Sequence, residues 1–342
     1  MSTIKVSINN GKKVVETEKG KSLNDILISQ NIYLPSACGS RGKCGMCKCV
    51  ANGTLPSLTQ NEQHLLNDND IARGFRLACQ LVPESDCSIE IASEYLGARE
   101  YVSELVSKKF LTRDIVELTL KLTDPESITF KSGQYITLKM PAHGDAPPAM
   151  RPFSIASSGV DNVIQVNIRL NPQGTVTPWI FNVLKVGMQV LFSGPRGNFF
   201  LRNTENPILF IAGGSGMAPV RSILSTMKLY RIKRKAVYFF GALTQSDLFY
   251  IDEIRALEKE LFDFRFIPAL SNEPVESNWS GARGLVTEVI DRYFAGNLKG
   301  YEAYLCGKPA MIEGCMAILE NKGIKKSDMF FDLFNSPKVP GK

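Results

Sequence analysis

Histidine is nearly missing from the 342-residue chain: His64 and His143 are the only two. Neither lies in a ligand-like pattern, which argues against Cys–His zinc sites and against a Rieske centre. Long apolar runs are missing as well. No stretch approaches the roughly 18 residues that a membrane helix needs. The N-terminal MSTIKVSINNGKK has no apolar segment behind its charges, so a secretory signal is not expected. Strong charge of either sign is also absent. A net +6 is too mild to mark a polyanion-binding protein, and no nucleic-acid partner is expected. No internal repeat or low-complexity tract is visible, and the tail NSPKVPGK reads as loose. The expectation is a cytoplasmic protein whose thiols stay reduced.

What is present falls into three textures, as suits a chain too long for one ordinary core. In residues 1–97, IKVSI and KKVVETE alternate and predict a hairpin. KSLNDILISQN predicts a helix capped by Ser22, with Leu23, Ile26 and Leu27 on one face. A cysteine-rich loop, the strand CKCVAN, then RLACQL and the strand CSIEIA complete an α+β segment. Residues 98–204 carry EYVSELVSKKF, DIVELTLKL, QYITLKM, RPFSIAS, VIQVNIRL and MQVLFSG. These six short alternating runs predict a small antiparallel β-barrel. In residues 205–342 the runs PILFIAGG, KAVYFFGA, FRFIPALS, YEAYLCG and MFFDLF are almost wholly apolar. They alternate with helical stretches, which predicts a doubly wound parallel sheet of the α/β class.

The stretch SACGSRGKCGMCKC, residues 36–49, contains four of the eight cysteines. A disulfide staple, a zinc site, a redox pair and an iron–sulfur cradle are the alternatives. Reducing surroundings disfavour the first. Zinc sites usually combine two C-x2-C units or add histidines, and here one such unit stands alone. A redox C-x-x-C should open a helix of a βαβ unit, whereas this one sits in a glycine loop. An iron–sulfur cluster suits the pattern better. Cys38-x5-Cys44-x2-Cys47, with Cys79 far downstream, supplies four thiolates. Gly39, Gly42 and Gly45 let backbone amides fold inward onto negative charge. The plant-type spacing, C-x4-C-x2-C, is one residue shorter in its first gap. Cys49 and Cys87 read as buried strand residues.

Five further stretches carry chemistry, two of them with a plain alternative. Arg151-Pro152-Phe153-Ser154 begins a barrel strand. Arginine can grip a pyrophosphate bidentately, an aromatic ring can lie on a flavin face, and a small hydroxyl can sit near the flavin edge. An outward Arg and a core Phe on an ordinary strand would look the same. In NPQGTVTPW, Gly174 permits close approach, and the amides near Val176 and Thr177 open a helix that could hold phosphate. IAGGSGMAPVRS follows a buried strand and precedes a helix. Gly214 and Gly216 free its loop for a pyrophosphate, and Pro219 fits a first helical turn. LCGKPAM ends another buried strand and places Cys306 at the carboxyl edge of the sheet, where ligands bind, or simply in the core. In GALTQSDLFY, Leu243 stands where an arginine often serves a 2′-phosphate, and Asp247 could meet a ribose hydroxyl. NADH is therefore expected over NADPH. The basic run from Lys228 to Lys235 reads as a solvated helix end.

In this order the motifs resemble the three-domain ferredoxin:NAD(P)+ reductase-like electron-transfer flavoproteins. That group includes reductase components of bacterial oxygenases and of deoxysugar dehydration. The likeness is strongest to the branch represented in the Na+-translocating NADH:quinone reductase, in the soluble part of one of its components, through ACGSRGKCGMC, RLACQ, GMAPVRS and NWSGARG. The resemblance implies a β-grasp [2Fe–2S] ferredoxin domain, an FAD-binding barrel and an NAD-binding domain. Matched residue by residue, it implies that Cys38, Cys44, Cys47 and Cys79 ligate the cluster. Arg151, Phe153, Ser154, Gly174, Val176 and Thr177 would bind FAD. Gly213, Gly214, Gly216 and Pro219 would take the NAD pyrophosphate, with Cys306, Gly307 and Met311 beside the nicotinamide. Phe334 matches the aromatic that covers the flavin, and Ser154, Cys306 and Phe334 are the expected catalytic set. Phe153 replaces a usual tyrosine and Lys308 a usual proline. The membrane anchor of that branch has no counterpart, so a free reductase is expected rather than a sodium pump.

The implied reaction runs from NADH through FAD and the [2Fe–2S] cluster to a partner protein, and the terminal component of an oxygenase is the expected acceptor. A deoxysugar dehydrase, a quinone or a corrinoid system is the alternative. A redox-sensing module is the rival from another class, but no segment remains to serve as its output domain. Arg41, Lys43, Lys48 and Arg76 flank the cluster ligands and predict a basic rim that docks on an acidic face.

Overall fold

The computed structural model describes residues 3–30, 32, 34, 40, 42, 45–92, 95–96, 99–159 and 162–334. The C-terminal tail that reads as loose lies outside these residues. Strands β1 (Thr3–Ile8) and β2 (Lys13–Glu18) form the first hairpin. Helix α1 (Leu23–Ser29) starts where the sequence predicts, with the Ser22 side chain accepting from the Asp25 N–H and Leu23, Ile26 and Leu27 buried. This satisfies a helix-end amide that would otherwise lack a partner. Next come β3 (Lys48–Gly53), α2 (Gln60–Leu65), α3 (Asp68–Ala72), β4 (Phe75–Leu77) and β5 (Cys87–Glu90). The sheet order is β2-β1-β5-β3-β4, with β1 and β5 parallel at its centre. This is the β-grasp arrangement, and its core lies between the sheet and α1.

The second group comprises β6 (Arg99–Phe110), β7 (Ile115–Asp124), β8 (Tyr135–Met140), β9 (Ala149–Ser154), β10 (Val163–Arg169), α4 (Val176–Asn182) and β11 (Gln189–Arg196). The six strands pair antiparallel in the order β10-β7-β6-β11-β8-β9. The chain just beyond β9 curls round to the opposite edge. Ile155 bridges to Val166 of β10, and the Ala156 N–H donates to the Gln165 carbonyl at 2.7 Å. A sheet that meets itself leaves little free edge.

The third group comprises β12 (Ile208–Gly213), α5 (Met217–Leu229), β13 (Ala236–Ala242), α6 (Ile251–Glu260), β14 (Phe264–Leu270), β15 (Ala282–Arg283), α7 (Val286–Tyr293), β16 (Glu302–Gly307), α8 (Pro309–Asn321) and β17 (Met329–Leu333). All six strands are parallel, in the order β15-β14-β13-β12-β16-β17. The apolar runs have a simple cause. Phe210, Tyr238, Phe240 and Tyr304 enter one core, while Leu209, Val237, Phe239 and Leu305 enter the other. A strand covered on both faces has no polar side.

The barrel and the parallel-sheet domain are clasped together. Arg221 of α5 reaches the Gln165 side chain at 2.8 Å and pairs with Glu253 at 2.7 Å. The Tyr250 hydroxyl donates to the Glu117 carboxylate on β7. Among the described residues, no helix is long and apolar enough to cross a membrane.

Candidate functional site

Cys47 is buried just before β3 and Cys79 lies two residues beyond β4. Their sulfurs are 3.3 Å apart. The hydrogen bond from Cys47 does most to bring the Cys79 thiol down to about 6; burial opposes it, and the Gln80 side chain and the Gly42 amide assist. Thiolate is the form that binds metal. Gly42 and Gly45 have φ of +67° and +66°, a backbone that side chains other than glycine rarely adopt. A paired set of sulfurs, a lowered thiol and an inward amide fit an iron–sulfur cluster. Cys38 and Cys44 lie outside the described residues. Cys49 and Cys87 sit in β3 and β5, and burial pushes the Cys49 thiol up to about 12.

The flavin-motif residues stand on β9, the half-buried edge strand beside α4. Arg151 and Phe153 alternate with Pro152 and so share one face. The Arg151 Nη1 donates to the Met150 carbonyl at 2.7 Å. At the start of α4, the Thr177 hydroxyl accepts from the Asn171 N–H at 2.9 Å and turns back on its own loop. Val176 is buried. A Cβ on Gly174 would meet the Asn171 carbonyl at 3.2 Å, so the turn is tight. A cation, a ring and a hydroxyl beside a tight glycine turn fit a flavin dinucleotide.

The glycine loop follows β12, and Cys306 is the penultimate residue of β16, its neighbour. The chain reverses direction of travel across the sheet between these strands, which makes their carboxyl ends a switch point and a ligand crevice. The two loops interlock. A Cβ on Gly216 would lie 2.3 Å from the Cys306 carbonyl, and one on Gly307 would lie 2.7 Å from Met311 Cε. One on Gly213 would lie 3.0 Å from Met311 Sδ. Pro219 is buried in α5. Gly214 has φ +57°, and a Cβ there would come 3.0 Å from Arg169 Nη1. Thus β10 of the barrel brings a cation to this loop, while Arg169 Nε pairs with Asp114 at 2.7 Å. A glycine cradle with a cation over it fits a dinucleotide pyrophosphate.

Three of the predicted residues meet between the two sites. Cys306 is fully buried, and burial, then the Asp332 charge, push its thiol well up. Phe334 follows β17, and its N–H donates to the Gly307 carbonyl at 2.8 Å. Ser154, nearly buried at the end of β9, places its hydroxyl 3.4 Å from the Asp332 carboxylate. Burial raises Asp332 to about 6, against the Ser154 hydrogen bond. Sequence reasoning missed Asp332. The available signal was its place in MFFDLF, two residues before Phe334.

Two other expectations meet a different arrangement. The Asp247 carboxylate accepts from the Thr244 N–H and hydroxyl, both at 3.0 Å, so it caps its own turn. Glu273, one loop further, accepts instead from the Gln245 N–H at 2.9 Å and its side-chain amide at 2.6 Å. Of the four cations near the cluster, Arg76 is buried against Glu62 and Lys48 bridges to Asp70 at 2.6 Å. Arg41 and Lys43 lie outside the described residues. In the basic run, Arg234 is also internal, buried against Glu302 at 2.9 Å.

Three family models match the chain in order. The 2Fe-2S iron-sulfur cluster binding domain matches residues 6–84, the oxidoreductase FAD-binding domain 103–201, and the oxidoreductase NAD-binding domain 210–316. A component of the Na(+)-translocating NADH-quinone reductase of Neisseria meningitidis is 30% identical over 97% of this chain and 91% of its own length. The crystal structure of the Amycolatopsis cytochrome P450 reductase GcoB aligns with a TM-score of 0.79 and 27% identity, over 98% of this chain and 100% of that one. The ferredoxin reductase in carbazole 1,9a-dioxygenase aligns with a TM-score of 0.74 and 26% identity, over 98% and 99%.

Proposed function

Starting from the fact that the chain belongs to the three-domain iron–sulfur flavoprotein reductases, the ferredoxin reductase-like family that is also represented in the Na(+)-translocating NADH-quinone reductase, we propose that it passes electrons from NADH to the terminal protein of an oxygenase system. The electron-transfer reductase is the family's activity, with NAD, FAD and a [2Fe–2S] cluster as its groups. The oxygenase acceptor is our reading. It is supported by the two solved reductases, named for a cytochrome P450 and a carbazole dioxygenase, that align over nearly the whole chain. We place the protein in the cytoplasm, in keeping with free thiols.

When bound, the nicotinamide supplies a hydride, the flavin takes electrons in a pair and releases them singly, and the cluster carries one at a time. The protein's own residues supply the rest. The interlocked Gly213–Gly216 and Cys306–Gly307 loops hold the dinucleotide at the switch point, with Arg169 over the glycines. Phe153 and Arg151 orient the flavin on β9. Ser154 and Asp332 hold a proton between Oγ and Oδ2 where barrel and parallel sheet meet. Phe334, tethered to Gly307, sits at the same junction and keeps water from it. Cys47 and Cys79, with Cys38 and Cys44, would hold the cluster. With Arg76 buried against Glu62 and the partly exposed Lys48 paired with Asp70, electrostatic docking to an acidic face falls to Arg41 and Lys43.

The Ser154–Asp332 contact is the observation that carries the reading, because it joins the flavin strand to the nicotinamide edge in one crevice. Anaerobic mixing with NADH tests it. Flavin absorbance should bleach first, and the cluster should follow. In Cys79→Ser the flavin should still bleach while transfer to the partner stops. A cluster that stays oxidised in the wild-type protein sinks the proposal, and transfer to a quinone but no oxygenase protein moves it to the alternative acceptor.

A further inference from the structure

Next to the cluster ligands stand two amide side chains to which the reaction above gives no role, one of them the last residue of the RLACQ stretch. Asn61 lies on α2, and its Nδ2 donates to Gln80 Oε1 at 2.9 Å. Gln80 Nε2 in turn points to the Cys79 sulfur at 3.8 Å and to the Cys79 carbonyl at 3.3 Å. The pair closes over the cysteine loop. A Cβ on Gly42 would fall 2.5 Å from Gln80 Nε2 and 2.9 Å from Asn61 Nδ2. Glycine at 42 therefore makes room for these amides as well as for the turn.

The arrangement is held from below. Glu62, beside Asn61 on α2, is fully buried. It takes Arg76 Nε at 2.8 Å and Arg76 Nη2 at 3.0 Å, and the Leu77 N–H at 3.0 Å. A bidentate buried pair with a third donor fixes α2 on the strand that leads to Cys79. Asn61 is thereby placed on Gln80 by the backbone. A primary amide has an acceptor end and a donor end. Because Asn61 occupies the acceptor end of Gln80, the donor end is turned to the sulfur.

We propose that Asn61 and Gln80 form an oriented donor relay that raises the reduction potential of the [2Fe–2S] cluster, with Gln80 acting on the Cys79 sulfur and Asn61 as the positioning residue. The proposal rests on the cluster being ligated by Cys79. One electron added to the cluster spreads negative charge onto its sulfurs, so an N–H donated to a ligand sulfur stabilises the reduced form more than the oxidised one. A reversed amide would present oxygen to that sulfur and have the opposite sign. A raised cluster potential makes electron transfer from the flavin more favourable and the onward step less so.

The test is a one-electron redox titration of the full holoprotein, read by the EPR signal of the reduced cluster, with the flavin midpoint as internal control. Gln80→Leu should lower the reduced-to-oxidised ratio at a fixed poise about ten-fold, which is 59 mV for one electron. Asn61→Leu should shift it the same way by less. The double variant should shift no further than Gln80→Leu, because Asn61 acts through Gln80. Iron and sulfide content separates the two levels of the argument. Loss of iron in Cys79→Ala supports Cys79 as a ligand, and retained iron there refutes that premise. Unchanged potentials in iron-replete Gln80→Leu, or fully additive shifts in the double variant, overturn the relay. Should Gln80→Leu fail to hold iron, Asn61→Leu decides, since it leaves the residues next to the ligands intact. An unshifted potential in it also overturns the relay.

Discussion

The Ser154 hydroxyl and the Asp332 carboxylate approach to 3.4 Å across 178 positions of sequence and across the junction of two domains. Burial raises Asp332 to about 6, and Ser154 pulls it part of the way back. Among the described residues, the fully buried Cys306 thiol is a titratable group that senses its charge. The folded protein therefore binds this proton more tightly than the unfolded chain. The linked stability is complete below the unfolded carboxylate value of about 3.9, and it is lost as pH rises through about 6. Asp332→Asn should remove that loss, so urea midpoints of flavin-free variant and wild type should converge at acid pH and separate in the variant's favour above it. In the holoprotein the same change should slow flavin reduction by NADH by about 10²-fold, the low end for a proton-handling group. Stopped-flow bleaching across pH checks this, and an unaltered rate and profile would remove Asp332 from the reaction.

Gly216→Ala should damage the nicotinamide site without a change of charge. Its φ is ordinary, at −62°, so backbone strain is not the cause. The added Cβ would fall 2.3 Å from the Cys306 carbonyl oxygen and 2.8 Å from its carbon. Both belong to backbone, which cannot swing aside like a side-chain end. Overpacking of this kind costs about 1–3 kcal/mol. Part of that cost should appear in NADH affinity, where each 1.4 kcal/mol is about ten-fold. Calorimetry for Tm and fluorescence titration for NADH separate the two effects. Gly144→Ala, with nothing within 4 Å but φ +54°, serves as a control for strain away from any site.

Much of the architecture is legible from periodicity. The two-faced burial of the parallel strands writes itself as unbroken apolar runs, and the half-buried barrel strands as alternation. Ser22 marks its helix because an N-cap is a local event. The two-residue β15 is invisible because a strand that short has no period. Individual charges are less legible. Arg76, Lys48 and Arg234 look like solvated cations until the fold supplies Glu62, Asp70 and Glu302, each distant in sequence. Asp247 and Glu273 are hard to rank from sequence for the same reason: each accepts from a turn partner, Thr244 or Gln245, that only the folded loops supply. Asp332 needs tertiary structure to be noticed, since its partner Ser154 belongs to another domain.

Arg76→Met should be costly in the ferredoxin domain. Burial alone would raise Glu62, but the Arg76 hydrogen bonds and the Thr59 and Leu77 amides overcome it and hold its carboxyl below the usual range. Removing Arg76 leaves a buried carboxylate without its cation, a loss of about 3–5 kcal/mol. Because the folded value is depressed, Glu62 contributes stability above about pH 4.3 that is lost as pH falls through the folded value. Acidification should therefore destabilise wild type more steeply than Glu62→Gln. Urea unfolding followed by the visible absorbance of the cluster reads both effects. A slope in Glu62→Gln equal to that of wild type would show that the pair does not control the acid limb.

Glu273 is where we expect the nicotinamide dinucleotide to be told from its phosphorylated form. The loops after β13 and β14 lie at the carboxyl ends of the sheet, next to the glycine loop, where the adenosine half of a dinucleotide rests. Asp247 caps Thr244 and is engaged there. Glu273 bridges the two loops through both nitrogens of Gln245, and the Gln245 hydrogen bonds hold it below the usual carboxylate range, so it is charged at neutral pH. A carboxylate there would repel a 2′-phosphate, while it could still accept from a ribose hydroxyl. Glu273→Gln keeps an acceptor toward Gln245 and removes the charge. The ratio of kcat/KM for NADPH to that for NADH should then rise by about ten-fold as the repulsion is lost, and the gain should shrink in high salt. Asp247→Asn should leave the ratio within about two-fold while loosening the Thr244 turn. If the Asp247 variant moves the ratio and the Glu273 variant does not, discrimination belongs to the β13 loop.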